Sequence, residues 1–106
     1  MMPNPIPNPS QEYIDAHRWT QRDSRYVSFT RHARFHMEEY EMDTLIVIDM
    51  LNNSFDCPTR GRHTRRDHTE VCSNYNHICY RLVLGDDYCL NVQEDCWVVV
   101  NVEPAK

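Results

Sequence analysis

Nine consecutive residues gather four arginines, two histidines and one acid: Arg60-Gly61-Arg62-His63-Thr64-Arg65-Arg66-Asp67-His68. A guanidinium presents a planar fork of donors that matches the paired oxygens of a phosphate or carboxylate. Imidazole titrates near neutral pH and can carry a proton in either direction. Arg60, Arg62, Arg65 and Arg66 are therefore candidates for phosphate binding, and His63 and His68 for proton transfer. The plainer alternative is a solvated hairpin loop whose arginines pair with nearby carboxylates.

Two other groups of residues have spacing that chemistry could use. His32 and His36 lie four apart, which on a helix sets both imidazoles on one face. Zinc needs a third ligand and an outer shell, and the intervening Ala-Arg-Phe lacks the glutamate of the metalloprotease motif. The structural reading has His32 bonding locally and His36 within an apolar stripe. Cys72 and Cys79 are seven apart around Asn74–Asn76, and Cys89 and Cys96 are seven apart around Gln93–Asp95. If each turn is a two-residue hairpin, both pairs face one another across strands. Such thiols could bind zinc, form disulfides or simply pack as small hydrophobes. Cys57 stands alone before Pro58.

Much other chemistry is excluded. Gly61 and Gly85 are the only two glycines, so neither a phosphate-binding glycine loop nor a dinucleotide fingerprint can be built, and no serine-hydrolase elbow is present. A net charge of −5 argues against a surface made for general nucleic-acid binding. The positive charge is nonetheless arginine-rich: ten of eleven basic residues are arginines, and Lys106 is the exception. No apolar run approaches the roughly 18 residues of a membrane span. The N-terminal residues lack the basic start and apolar stretch of a secretory signal. The expectation is a cytoplasmic protein with reduced thiols.

These residues must be positioned by one domain, since 106 residues leave no room for a second core. Prolines at 3, 5, 7 and 9 make residues 1–9 an extended Pro/Asn-rich arm, and residues 10–106 the single domain. Ser10 could cap a short helix through Tyr13, Ala16 and His17. Tyr26 to Phe29 reads as a strand, and Thr30 as the cap of a helix whose inner face is Ala33, His36, Met37 and Tyr40. Asp43 caps a second helix striped by Ile46, Val47, Met50 and Leu51. Short strands follow at Ser54–Thr59 and His68–Ser73. Ile78–Leu84 is a longer one, ended by a turn at Gly85-Asp86-Asp87. A final hairpin pairs Tyr88–Val92 with Cys96–Val102. Helices first and strands afterwards is an α+β layout: two N-terminal helices packed on a curved antiparallel sheet of four to five strands.

The segment Phe29-Thr30-Arg31-His32-Ala33-Arg34-Phe35-His36-Met37 resembles a widespread family of small prokaryotic domains. Those domains open with a Ser/Thr-x-His-Ala-x-x-Arg-Met helix, continue with a second helix and a curved antiparallel sheet, and stand near the RelE and BrnT toxins of toxin–antitoxin systems. The resemblance runs from about Tyr26 to Val102, and Tyr80-Arg81-Leu82-Val83-Leu84 looks like the family's inner arginine-bearing strand. His36 stands where the family usually has arginine, and the region around Glu41 and Met42 lacks its Arg-Gly-Ile turn.

The resemblance implies contact with RNA or with a separately encoded antitoxin protein. RelE-like nucleases grip the RNA backbone with basic residues, then use a base and an acid to drive attack by the 2′-hydroxyl, without a metal. Carried to this chain, Arg60, Arg62, Arg65 and Arg66 would hold phosphate and His63 or His68 would be the base. Arg81 would stabilise charge on the scissile phosphate. Two further readings stay open: a non-enzymatic interaction module using sheet edges and the proline-rich arm, and a structural protein stabilised by zinc or thiols through Cys72, Cys79, Cys89 and Cys96.

Overall fold

The computed structural model describes residues 11–61 and 65–105. The proline-rich arm, the Ser10 cap, Arg62 and His63 lie outside the described residues. Chain order is α1 (Gln11–Ala16), β1 (Arg18–Trp19), β2 (Arg25–Phe29), α2 (Arg31–Glu39), α3 (Thr44–Asn52), β3 (Phe55–Asp56), β4 (Thr69–Tyr75), β5 (Ile78–Cys89) and β6 (Glu94–Pro104).

Both long helices begin where the side chains dictate. The Thr30 hydroxyl accepts from the Ala33 amide at 3.0 Å, and an Asp43 carboxylate oxygen accepts from the Ile46 amide at 2.8 Å. Each bond satisfies an amide that the first helical turn leaves without a partner, worth about 1 kcal/mol. Ala33 and Met37 of α2 are buried, as are Val47, Ile48, Met50 and Leu51 of α3. Leu45–Ile48 is thus helical, although its composition would also suit a strand.

The α+β class holds, with a curled, half-barrel sheet in the order β1-β2-β6-β5-β4-β3. The sheet has six strands rather than four or five, and it is mixed rather than antiparallel, because β2 runs parallel to β6. Both edge strands have two residues: β1 is too short to show alternation in sequence, and β3 is what remains of the strand expected at Ser54–Thr59. Val71, Leu82 and Val102 stand abreast on β4, β5 and β6 and are buried with the helix stripes in one core.

Three turn expectations need correction. Gly85-Asp86-Asp87 is not a turn; β5 runs through it to Cys89. The His68 ring lies over Gly85, and a Cβ there would meet that ring at 3.4 Å, an ordinary van der Waals contact. The last hairpin therefore joins Cys89 to Glu94, and the stretch after Ser54 keeps strand geometry only at Phe55–Asp56. The β4–β5 turn sits on Asn76 and His77, both with positive φ, as a two-residue hairpin requires.

That one-residue displacement of the turn moves every cross-strand partner by two. Cys72 pairs with Arg81 and Cys79 with Asn74, so Cys72 and Cys79 are not opposed. Cys72 instead forms a disulfide with Cys57, and Cys89 forms one with Cys96; Cys79 is free. Along β5, Arg81 beside Cys72 is eight residues from Cys89, or about 26 Å of strand. The four cysteines Cys72, Cys79, Cys89 and Cys96 thus do not converge on a zinc site. Among the described residues no helix is long and apolar enough to cross a membrane.

Candidate functional site

The described flanks of the arginine-rich segment, residues 57–61 and 65–68, lie on the face of the sheet opposite the α3 core, where Thr59 meets Arg81, Gly61 meets Glu70 and His68 lies over Gly85. Alternation along paired strands puts Cys72, Arg81 and Glu103 on this face, with Val71, Leu82 and Val102 on the other. The Cys57–Cys72 disulfide, with Cα atoms 5.1 Å apart, ties the start of the segment to β4.

At its centre Arg81 is only 7% exposed. Its Nε lies 3.6 Å from Glu70 Oε1 and its Nη1 3.9 Å from Glu103 Oε1, while Nη2 donates to the Thr59 carbonyl at 3.2 Å. Glu70 has a side chain just 4% exposed, and its two oxygens accept from the Gly61 amide at 2.9 and 3.0 Å. A buried guanidinium with no counter-charge costs several kcal/mol, roughly 3–5; Glu70 supplies that charge and also gathers the loop backbone. Arg81 Nε makes no hydrogen bond within normal range, so attraction across 3.6 Å has to serve it.

The remaining segment residues divide by what their side chains bond to. Arg60 is itself exposed, but its Nη2 donates to the carbonyls of Arg65 and His68 and so braces the loop backbone. His68 is half-buried, its ring against Gly85. Arg65 and Arg66 face solvent, Arg65 with its Nε 3.5 Å from Asp67 Oδ1. The structure therefore gathers Arg60, His68 and Arg81 around one loop, but commits Arg60 and Arg81 to holding it. Among the described residues of the segment, Arg65 and Arg66 are the exposed cations whose side chains do not brace the loop backbone.

On α2 the His32 and His36 rings lie 4.5 Å apart, and an aromatic run continues through Tyr40 to Tyr80 and Tyr75. His36 Nδ1 is 4.0 Å from Glu39 Oε1. Among the described residues no group of three or more His, Cys, Asp or Glu could hold a metal ion, so these histidines lack a third ligand there. Burial, then the nearby negative charge of Glu39, Tyr80 and Glu103, pushes the Tyr40 phenol above its usual range.

Sequence reasoning missed Glu70, Glu103 and Thr59 as the partners of Arg81, and Gly61 as the partner of Glu70. The missing information was the register. With the turn on Asn76 and His77, Glu70 stands diagonal to Arg81 on one face, within reach of long side chains. No protein-family model, curated protein or solved structure matched this chain.

Proposed function

We propose that this chain is a RelE/BrnT-toxin-like domain that contacts RNA through residues 60–68 and acts by binding rather than by cutting. The observation that carries the reading is the division of labour in that segment. Glu70 from beneath and Arg60 from the exposed side fix the loop backbone, and the side chains of Arg65 and Arg66 face solvent on that braced support. Braced guanidinium forks suit backbone phosphates, which set affinity without reading sequence.

The binding emphasis follows from Arg81. Its charge is balanced by Glu70 and its surface is almost wholly buried, so a phosphate would have to displace the carboxylate to reach it. The element order of helix, helix and curled sheet after Phe29 also agrees with the family resemblance, under which a separately encoded antitoxin is the protein partner.

The test is fluorescence anisotropy of a labelled mixed-sequence single-stranded RNA, alongside growth of a bacterial host after induced expression. The reading expects saturable RNA binding that falls about tenfold in an Arg65→Gln/Arg66→Gln variant, with no shortening of the RNA. Cleavage abolished by Arg81→Ala in a folded variant would restore the nuclease reading. Absence of RNA binding at low salt would sink both.

A further inference from the structure

A cavity of about 510 Å³ opens where β2 meets the hairpin joining β5 to β6. Tyr26, Ser28, Arg34, Thr44 and Tyr88 contribute to its walls, with His17 beside them. The chain carries 16 acidic residues against 11 basic ones, yet among the described residues no aspartate or glutamate lines this space. Two other cavities differ: one includes Asp56, and another both Asp43 and Asp49. Here the charged side chain is Arg34.

Arg34 has the features of a ligand cation. Its guanidinium carbon stands 5.6 Å above the Phe29 ring, which orients the fork, and it makes no ion pair among the described residues. Hydroxyl groups of Ser28 and Thr44 add small polar contacts, with His17 Nε2 3.3 Å from Thr44 Oγ1. Tyr26 is buried in the wall, and Tyr88 is 52% exposed at the lip. The lip is held in place: Cys89 is joined to Cys96, whose sulfur lies 3.7 Å from Ser28 Oγ on β2. A preformed wall lowers the ordering cost of binding.

We propose that this cavity binds a small molecule with one phosphate monoester and one flat aromatic ring, of the nucleoside monophosphate class. Its phosphate sits on Arg34 with help from the Ser28 and Thr44 hydroxyls, and its ring lies against Tyr26 and Tyr88. The cavity volume is in the range of pockets for such ligands, roughly 300–1,000 Å³. The site is separate from the arginine loop: His68 lies over Gly85, four residues or about 13 Å of strand from Cys89. It therefore stands or falls independently of RNA binding.

The experiment is titration of the full chain, followed by amide NMR shifts and calorimetry, with adenosine monophosphate and uridine monophosphate. Adenosine and inorganic phosphate serve as the single-moiety probes. The expected result is saturable binding of at least one monophosphate, with shifts centred on residues 26–34 and 88–91. Adenosine and phosphate each bind at least about tenfold more weakly. Arg34→Gln, an exposed position whose fold is checked by circular dichroism, weakens the monophosphate about tenfold, and Tyr88→Ala weakens it several-fold. Arg65→Gln/Arg66→Gln leaves it unchanged. No saturation up to about 10 mM, adenosine binding as tightly as its monophosphate, or undiminished affinity in Arg34→Gln would each overturn the proposal.

Discussion

Glu70 and Arg81 meet across β4 and β5 with Oε1 and Nε 3.6 Å apart, in a place where neither side chain is more than 8% exposed. A pair so buried behaves asymmetrically. Removing one partner strands the other's charge, whereas removing both relieves the desolvation cost. Glu70→Gln and Arg81→Met should each lower unfolding free energy by roughly 3 kcal/mol. The double variant Glu70→Leu/Arg81→Met should lose much less than their sum. Urea denaturation of the four proteins measures the cycle, and strict additivity would show that the pair is not coupled.

The cysteine pairing makes a count. Chain unfolded in guanidinium without reductant should expose one reactive thiol, Cys79, and all five after reduction. Reagent titration gives the number directly; five before reduction would remove both bridges. The Cys57–Cys72 bridge closes a 15-residue separation, so Cys57→Ser should cost about 3 kcal/mol under oxidising conditions and almost nothing under reducing ones.

If Arg65 and Arg66 are phosphate contacts, they should appear in the salt dependence of RNA affinity. Each phosphate neutralised on a single strand contributes about 0.7 to the slope of log affinity against log salt. Arg65→Gln/Arg66→Gln should therefore flatten that slope by roughly 1.4. A weaker but equally steep dependence would mean that other cations carry the contact.

Tyr40 supplies a pH prediction. Its raised pKa arises first from burial, then from the charges of Glu39, Tyr80 and Glu103. The neutral phenol is favoured by folding, so its contribution is fully present below the unfolded value of 10.0. It is lost as pH rises through the higher folded value. Tyr40→Phe cannot ionise, and its stability should decline less steeply above pH 10 than the wild type's. Parallel declines in thermal melts across that range would remove Tyr40 as the source.

How far the sequence could be read depends on how local the signal is. Thr30 and Asp43 were legible because a cap is a contact between residues three apart. The stripes of α2 and α3 were legible for the same reason. Partners across strands were not, because the register of β4 and β5 hinges on whether the turn centres on Asn76 or one residue earlier. Asn is acceptable at both places, so composition could not decide. Gly85 carried a misleading signal: with two aspartates after it the glycine reads as a turn, yet β5 runs straight through it. The site residues split likewise. Arg60, Arg65, Arg66, His68 and Arg81 were visible by type, but that Arg81 alone of the described arginines is buried depends on Glu70 standing beside it.

The position of β6 bears on how the chain is made. Residues 94–104 form the last strand in sequence yet sit between β2 and β5, and β2 has no other long neighbour. During synthesis on the ribosome, α2 and α3 can form early, but β2 must wait for residues some 70 positions downstream. Pairing of such high sequence separation is slow, and the waiting strand is open to wrong partners. A nascent chain arrested before residue 94 should thus be protease-sensitive throughout, and protection should arrive in one step once β6 has cleared the exit tunnel.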